Sequence, residues 1–184
     1  MNNSASFVSL DAPETCWKDP NSKSIGYFAK RPQVCLTRDA IEEIKHLALE
    51  TGVNARLSMH TSPHDDFHEM IIFQHRDQYY RPKKHIRPKS FHMIEGEMAV
   101  FVFADDGSVI DAQVLNTTDS IMYRVGANLF HTDVPLSAYV VHHESTLGPF
   151  LGKSDHTFAP FSPDGSDKNA YLKFRDELLR LVGR

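Results

Sequence analysis

Within residues 79–96, YYRPKKHIRPKSFHMIEG, side chains able to do chemistry recur at every second position. Lys83, His85, Arg87, Lys89, Phe91 and Met93 share one parity, and residues of one parity point to one face of a β-strand. Pro88 predicts a bend in that strand, and Gly96 a tight turn into the apolar run that follows. Two chemistries are open to such a face. Imidazole is the commonest protein metal ligand and the side chain that titrates nearest neutrality, which makes His85 a candidate ligand or acid–base group. Arg81, Lys83, Lys84, Arg87 and Lys89 instead gather cations in a chain whose net charge is −4. That grouping suits a carboxylate, phosphate or sugar-nucleotide pyrophosphate held by charge-assisted hydrogen bonds. Nine of the 11 histidines are clustered as His60, His64, His68 and His75, then His85 and His92, then His131, His142 and His143, with His46 and His156 outside, so a site has several segments to draw on.

The elements that must position these groups are legible in outline. Thr37 reads as an N-cap, with Asp39, Glu42 and Glu43 in the first turns and Ile41, Ile44, Leu47 and Ala48 at helical spacing up to Gly52, which predicts an amphipathic helix over 37–52. Residues 1–36 are polar, with scattered Pro13, Pro20 and Pro32, and predict an irregular arm with one edge strand, stapled to the body by Trp17. From residue 54 the pattern turns to short strands, predicted at 55–59, 69–74, 90–94, 97–104, 109–115, 120–124 and 138–142. Asp105-Asp106-Gly107 makes a hairpin turn between two of them. A chain of such strands indicates a mainly β barrel or sandwich over 53–166. Ala170, Tyr171, Phe174, Leu178 and Leu181 lie on one face of a closing helix within 167–184. The parts form one domain overall.

Composition narrows the functional classes. A chain of 184 residues with 41% hydrophobic content supports one sizeable core. Its 20 basic and 24 acidic residues leave no broad basic face for nucleic acid or an anionic membrane. No apolar run approaches the ~20 residues of a membrane helix, and residues 1–10 lack the features of a signal peptide, so a cytoplasmic location is expected. Cys16 and Cys35 form no C-x-x-C pair and read as reduced thiols.

The order and spacing of several pieces resemble a known family. These are Arg56-Leu57-Ser58-Met59-His60 with Asp65-Asp66, Tyr80-Arg81-Pro82, Tyr123-Arg124, Phe130-His131-Thr132, His143-Glu144 with Gly148-Pro149-Phe150, and Phe158-Ala159-Pro160-Phe161. Together they are similar to the cupin superfamily, and within it to WbuC-like cupin-fold proteins found among surface-polysaccharide genes. The resemblance implies a cupin-like double-stranded β-helix, or jelly-roll barrel, flanked by an N-terminal and a C-terminal helix. It also implies a metal site whose second histidine would be His85, whose glycine would be Gly96 and whose later histidine would be His131. The position of the first histidine holds Lys83 and that of the glutamate holds Lys89.

Lysine is ammonium at neutral pH in water and offers no lone pair, so His85 and His131 alone leave a divalent metal short of its usual coordination. Two hypotheses follow. In the first, His60, His64 or His68, or the strand carrying His142 and Glu144, completes a site for Zn, Fe, Mn or Ni with His85 and His131. In the second, Lys83 and Lys89, with Arg56, His60 and Tyr123, bind a small anionic, sugar-related metabolite without metal, as a binding module or as an enzyme. The catalytic candidates are His85, His131, Lys83 and Lys89. A homodimer is expected, since small barrels often cover their edge strands by pairing.

Overall fold

A computed structural model describes residues 7–184; the first residues of the predicted arm, 1–6, lie outside the described residues. Strands β1 (Cys16–Lys18) and β2 (Ile25–Ala29) precede helix α1 (Arg38–Thr51). There follow β3 (Ala55–Ser58), β4 (Phe67–His75), β5 (Lys83–His85), β6 (Lys89–Glu95), β7 (Met98–Phe103) and β8 (Val109–Leu115). Then come β9 (Met122–Val125), β10 (Phe130–Pro135), β11 (Tyr139–Leu147), β12 (His156–Phe158) and helix α2 (Lys168–Leu181).

The strands form two sheets, ordered β1-β2-β3-β4-β11-β6-β9 and β12-β5-β10-β7-β8. Within them the run from β4 to β11 gives the interleaved orders β4-β11-β6-β9 and β5-β10-β7-β8, the eight-stranded arrangement of a jelly roll. The chain is mainly β, with one helix before the roll and one after it.

Side-chain alternation explains the layering. Strand β7, MAVFVF, is buried along its whole length because both of its faces are covered. Met98, Val100 and Val102 turn inward onto Phe91, Met93, Leu115, Val125 and Val140. Ala99, Phe101 and Phe103 turn outward beneath α2, where Phe174 and Leu178 close a second cluster. On the other side of the roll, Ile41, Ile44 and Ala48 of α1 pack on Leu57, Ile71 and Phe73 of the longer sheet. Helix α1 starts where the Thr37 side chain accepts from the Ala40 amide and stops at Gly52 in the left-handed conformation, φ 65°. Asp167 caps α2 by accepting from the Asn169 and Ala170 amides.

The N-terminal segment holds two strands where the sequence pattern predicted one. β1 and β2 pair antiparallel, and β2 pairs parallel with β3, so both widen the longer sheet. Trp17 stacks on Phe28 with ring centroids 4.9 Å apart. The interior face of that sheet therefore extends past the roll itself, which bears on the site below.

Candidate functional site

The bend predicted at Pro88 is a change of sheet. β5 belongs to the shorter sheet and β6 to the longer one, and the chain crosses between them through Ile86, Arg87 and Pro88. His131 of β10 is the register partner of Lys83 and, on its other side, of the inward-facing Val102. Lys83, His85 and His131 therefore face the space between the sheets, His85 by its parity with Lys83. On the longer sheet, register aligns His68, Thr146, Lys89 and Val125 in one row, and Ser58, Met70, Glu144, Phe91 and Tyr123 in the next. A third row carries Arg56, Ile72, His142 and Met93. Residues directly opposite one another in a sheet share a face, so Lys89 and Glu144 meet His85 and His131 across the barrel interior.

Most charges in this interior are paired. Lys89 Nζ lies 2.9 Å from Glu144 Oε1, with side-chain exposures of 8% and 13%. Arg87 reaches Asp155 at 3.1 Å and donates to the Pro149 carbonyl, and Arg56 lies 3.6 Å from Asp19. Gln74 donates to Asp133 at 2.7 Å and is joined to buried His142 Nε2 at 3.2 Å. Lys83 is the exception: its amine makes no hydrogen bond or ion pair among the described residues. Burial first, and then the neighbouring Lys89 charge, pull its pKa below the usual lysine value.

The histidines are held neutral. Burial, reinforced by Lys89 and Lys83, pushes His85 down to about 2. Burial and Lys89 push His131 down to about 4. Burial would raise the Glu144 carboxyl, but the Lys89 ammonium, by its charge and its hydrogen bond, outweighs that and holds it down at about 2. His131 Nδ1 donates to the Leu129 carbonyl at 2.9 Å, which leaves Nε2 as the lone-pair nitrogen. The His85 and His131 ring centroids are 5.6 Å apart, and His85 Nδ1 is 3.5 Å from Asp155.

These residues do not fit a divalent metal. Among the described residues, no group of three or more His, Cys, Asp or Glu is placed to hold one. Glu144, the carboxylate beside the two imidazoles, is already neutralised by Lys89, so an ammonium stands where a metal's charge would be compensated. The predicted helpers lie elsewhere. His64 is exposed in a turn, while His60 and His68 stack on each other at 4.1 Å and His60 packs edge-on against Phe28. His60 Nδ1 accepts from the Glu69 amide, and burial pushes this ring down to about 4. Tyr123 donates from its hydroxyl to Asp111 at 2.5 Å, which turns its polar end toward β8. Arg56 lies on the interior face of β3.

Sequence reasoning singled out Lys83, Lys89, His85 and His131, and the fold brings these together. It missed Glu144 as the partner of Lys89, Asp155 as the partner of Arg87, and Ser58 on the same face as Arg56. Parity with Arg56 was the signal for Ser58; the ion pairs join segments distant in the chain and left none.

The fold is a mainly β jelly roll of two sheets with a helix before it and a helix after it. A family model described as a domain of unknown function, DUF6016, matches residues 44–115. Among curated proteins, none matches the sequence. Solved structures similar to the chain include cupin-fold proteins at low identity. L-ribose isomerase from Cellulomonas parahominis, solved with L-psicose, is 13% identical, with 65% of this chain and 72% of the isomerase covered and a TM-score of 0.48. CapF bound to an inhibitor is 9% identical over 56% of this chain and 31% of its own, also with a TM-score of 0.48. A DMSP lyase is 13% identical, with a TM-score of 0.39 over half of this chain, and the chain spans 43% of that lyase's length. No helix is long and apolar enough to cross a membrane among the described residues.

Proposed function

We propose that the barrel interior binds a small anionic, sugar-related metabolite and does so without a bound metal. The observation that carries this reading is Lys83, an interior amine that makes no hydrogen bond or ion pair among the described residues, whereas Lys89, Arg87 and Arg56 are each directly paired with a carboxylate. A carboxylate placed on Lys83 relieves the cost of its burial and gains a charge-assisted hydrogen bond. The WbuC-like resemblance adds a role in surface-polysaccharide metabolism, in a cytoplasmic homodimer.

Catalysis by His131 is the second reading, favoured by its lone-pair Nε2 in the interior. With His131 at about 4 and His85 at about 2, both are weak bases at neutral pH, so binding stands ahead of proton abstraction. Titration calorimetry with a uronic acid, on protein kept in chelator, tests the first reading. Binding should persist in chelator, and Lys83→Met should weaken it by about tenfold or more, the loss of one charged hydrogen bond. Equal affinity in the variant, or binding that needs added metal, would sink the proposal.

A further inference from the structure

The longer sheet carries polar atoms that its own fold leaves unused. Arg56 Nε and Ser58 Oγ are buried and lack a hydrogen-bond partner among the described residues, and so does His68 Nε2, which lies against Gly148 and the Asp65 backbone. Ser58 is 0% exposed and His68 6%. Buried polar groups are almost always satisfied, because an unpaired one forfeits its hydration without return. Several such atoms together on one face therefore require an explanation.

Register places them together. Arg56 and Ser58 alternate along β3, and Ser58 is the register partner of Met70, two residues from His68 on β4. The His60 ring stacked on His68 and the edge contact from Phe28 hold this patch in one arrangement. Ser58 is separated from Glu144 by β4, and His68 from Lys89 by β11, so each lies two strand spacings, about 10 Å, from the buried ion pair. The patch and the ion pair share one continuous interior face.

We infer that Arg56, Ser58 and His68 form a second subsite, which takes the hydroxyl-bearing end of a ligand whose carboxylate sits at Lys83. This rests on the anion reading above and narrows it to hydroxy acids several carbons long, such as sugar acids. Arg56 Nε–H only donates, the Ser58 hydroxyl donates and accepts, and a neutral imidazole nitrogen does one or the other. Hydroxyl groups match that mixed set, whereas a phosphate, which mainly accepts, matches only its donors. Glu144 and Asp155 in the same interior also repel a dianion more than a monoanion.

Nuclear magnetic resonance titrations of the whole chain with sodium gluconate, sodium acetate and sorbitol test the subsite. Gluconate should bind about tenfold more tightly than acetate. Ser58→Ala should lower gluconate affinity about fivefold, one neutral hydrogen bond's worth, while leaving acetate unchanged. The same variant should raise the melting temperature of the ligand-free protein, since it deletes an unpaired buried hydroxyl. His68→Leu should repeat the selective loss. Gluconate binding no better than acetate, or unaffected by Ser58→Ala and His68→Leu, overturns the subsite and leaves the anion reading in place. Should neither anion bind, the anion reading fails; sorbitol binding sensitive to Ser58→Ala would then still support the subsite, and its absence would overturn that too.

Discussion

At Lys89 the choice of one side chain sets what the barrel can hold. Its ammonium neutralises Glu144 and is among the foremost electrostatic influences on Lys83, His85 and His131, so it acts as a cation tethered to the fold. Lys89→Glu would replace that cation with a carboxylate beside Glu144, His85 and His131, a set of oxygen and nitrogen donors suited to a divalent ion. Without metal the variant should lose about 3 kcal/mol of stability, because a buried ion pair has become a like-charged pair. Added Zn should restore the melting temperature of the variant and leave the parent unmoved, through binding to the folded state. Equal responses of the two proteins to Zn would contradict the tethered-cation account. Parity in the sequence was enough to turn Lys83 and His85 to one face of β5; the change of sheet at Pro88 places Lys89 on β6 instead, opposite them across the interior. Glu144 lies 55 residues from Lys89, and nothing local to either residue announces their pairing.

At the scale of elements, the turns between sheets keep these rows in register. Gly96 joins β6 of the longer sheet to β7 of the shorter one, with φ at 82°. A Cβ there would lie 2.7 Å from the Tyr139 carbonyl oxygen, backbone that cannot step aside cheaply. Gly96→Ala combines left-handed strain with that overlap and should cost about 2 kcal/mol or more, read as a lower urea midpoint with an unchanged slope. A midpoint equal to that of the parent would refute this account of the turn. The elements most legible in the sequence were those buried on one or both faces. The strand predicted at 109–115 spans the residues of β8, and the apolar run of β7 announced itself. β10 did not, because Thr132, Asp133 and Pro135 interrupt its apolar pattern and its pairing with β7 and β5 is what makes it a strand. β5 and β12, at three residues each, are too short to show a period.

At the scale of the whole molecule, the polar interior ties stability to pH. His85 and His131 are neutral in the folded protein, at about 2 and about 4, against about 6.5 for an unfolded chain. Below pH 6.5 the unfolded state therefore binds protons that the folded state refuses, and stability falls as pH falls. Each such histidine costs about 1.4 kcal/mol per pH unit, so the two together remove about 5 kcal/mol between pH 6.5 and 4.5. Glu144 adds nothing across that window: its carboxyl, held at about 2, contributes stability above about 4.5 that is lost only on further acidification. A loss of this size is a large share of a domain's total stability, so acid unfolding should begin near pH 5, before most carboxylates are half protonated. Urea unfolding at pH 7.5, 6.5, 5.5 and 4.5 should show stability nearly level above 6.5 and falling below it with a slope of about three protons or more, since His60, held at about 4, refuses its proton as well. His85→Leu should lower that slope by about one proton without changing where it begins. A profile that stays level to pH 4.5 would mean that these imidazoles take up protons inside the fold, and that the barrel interior is wetter than its burial implies.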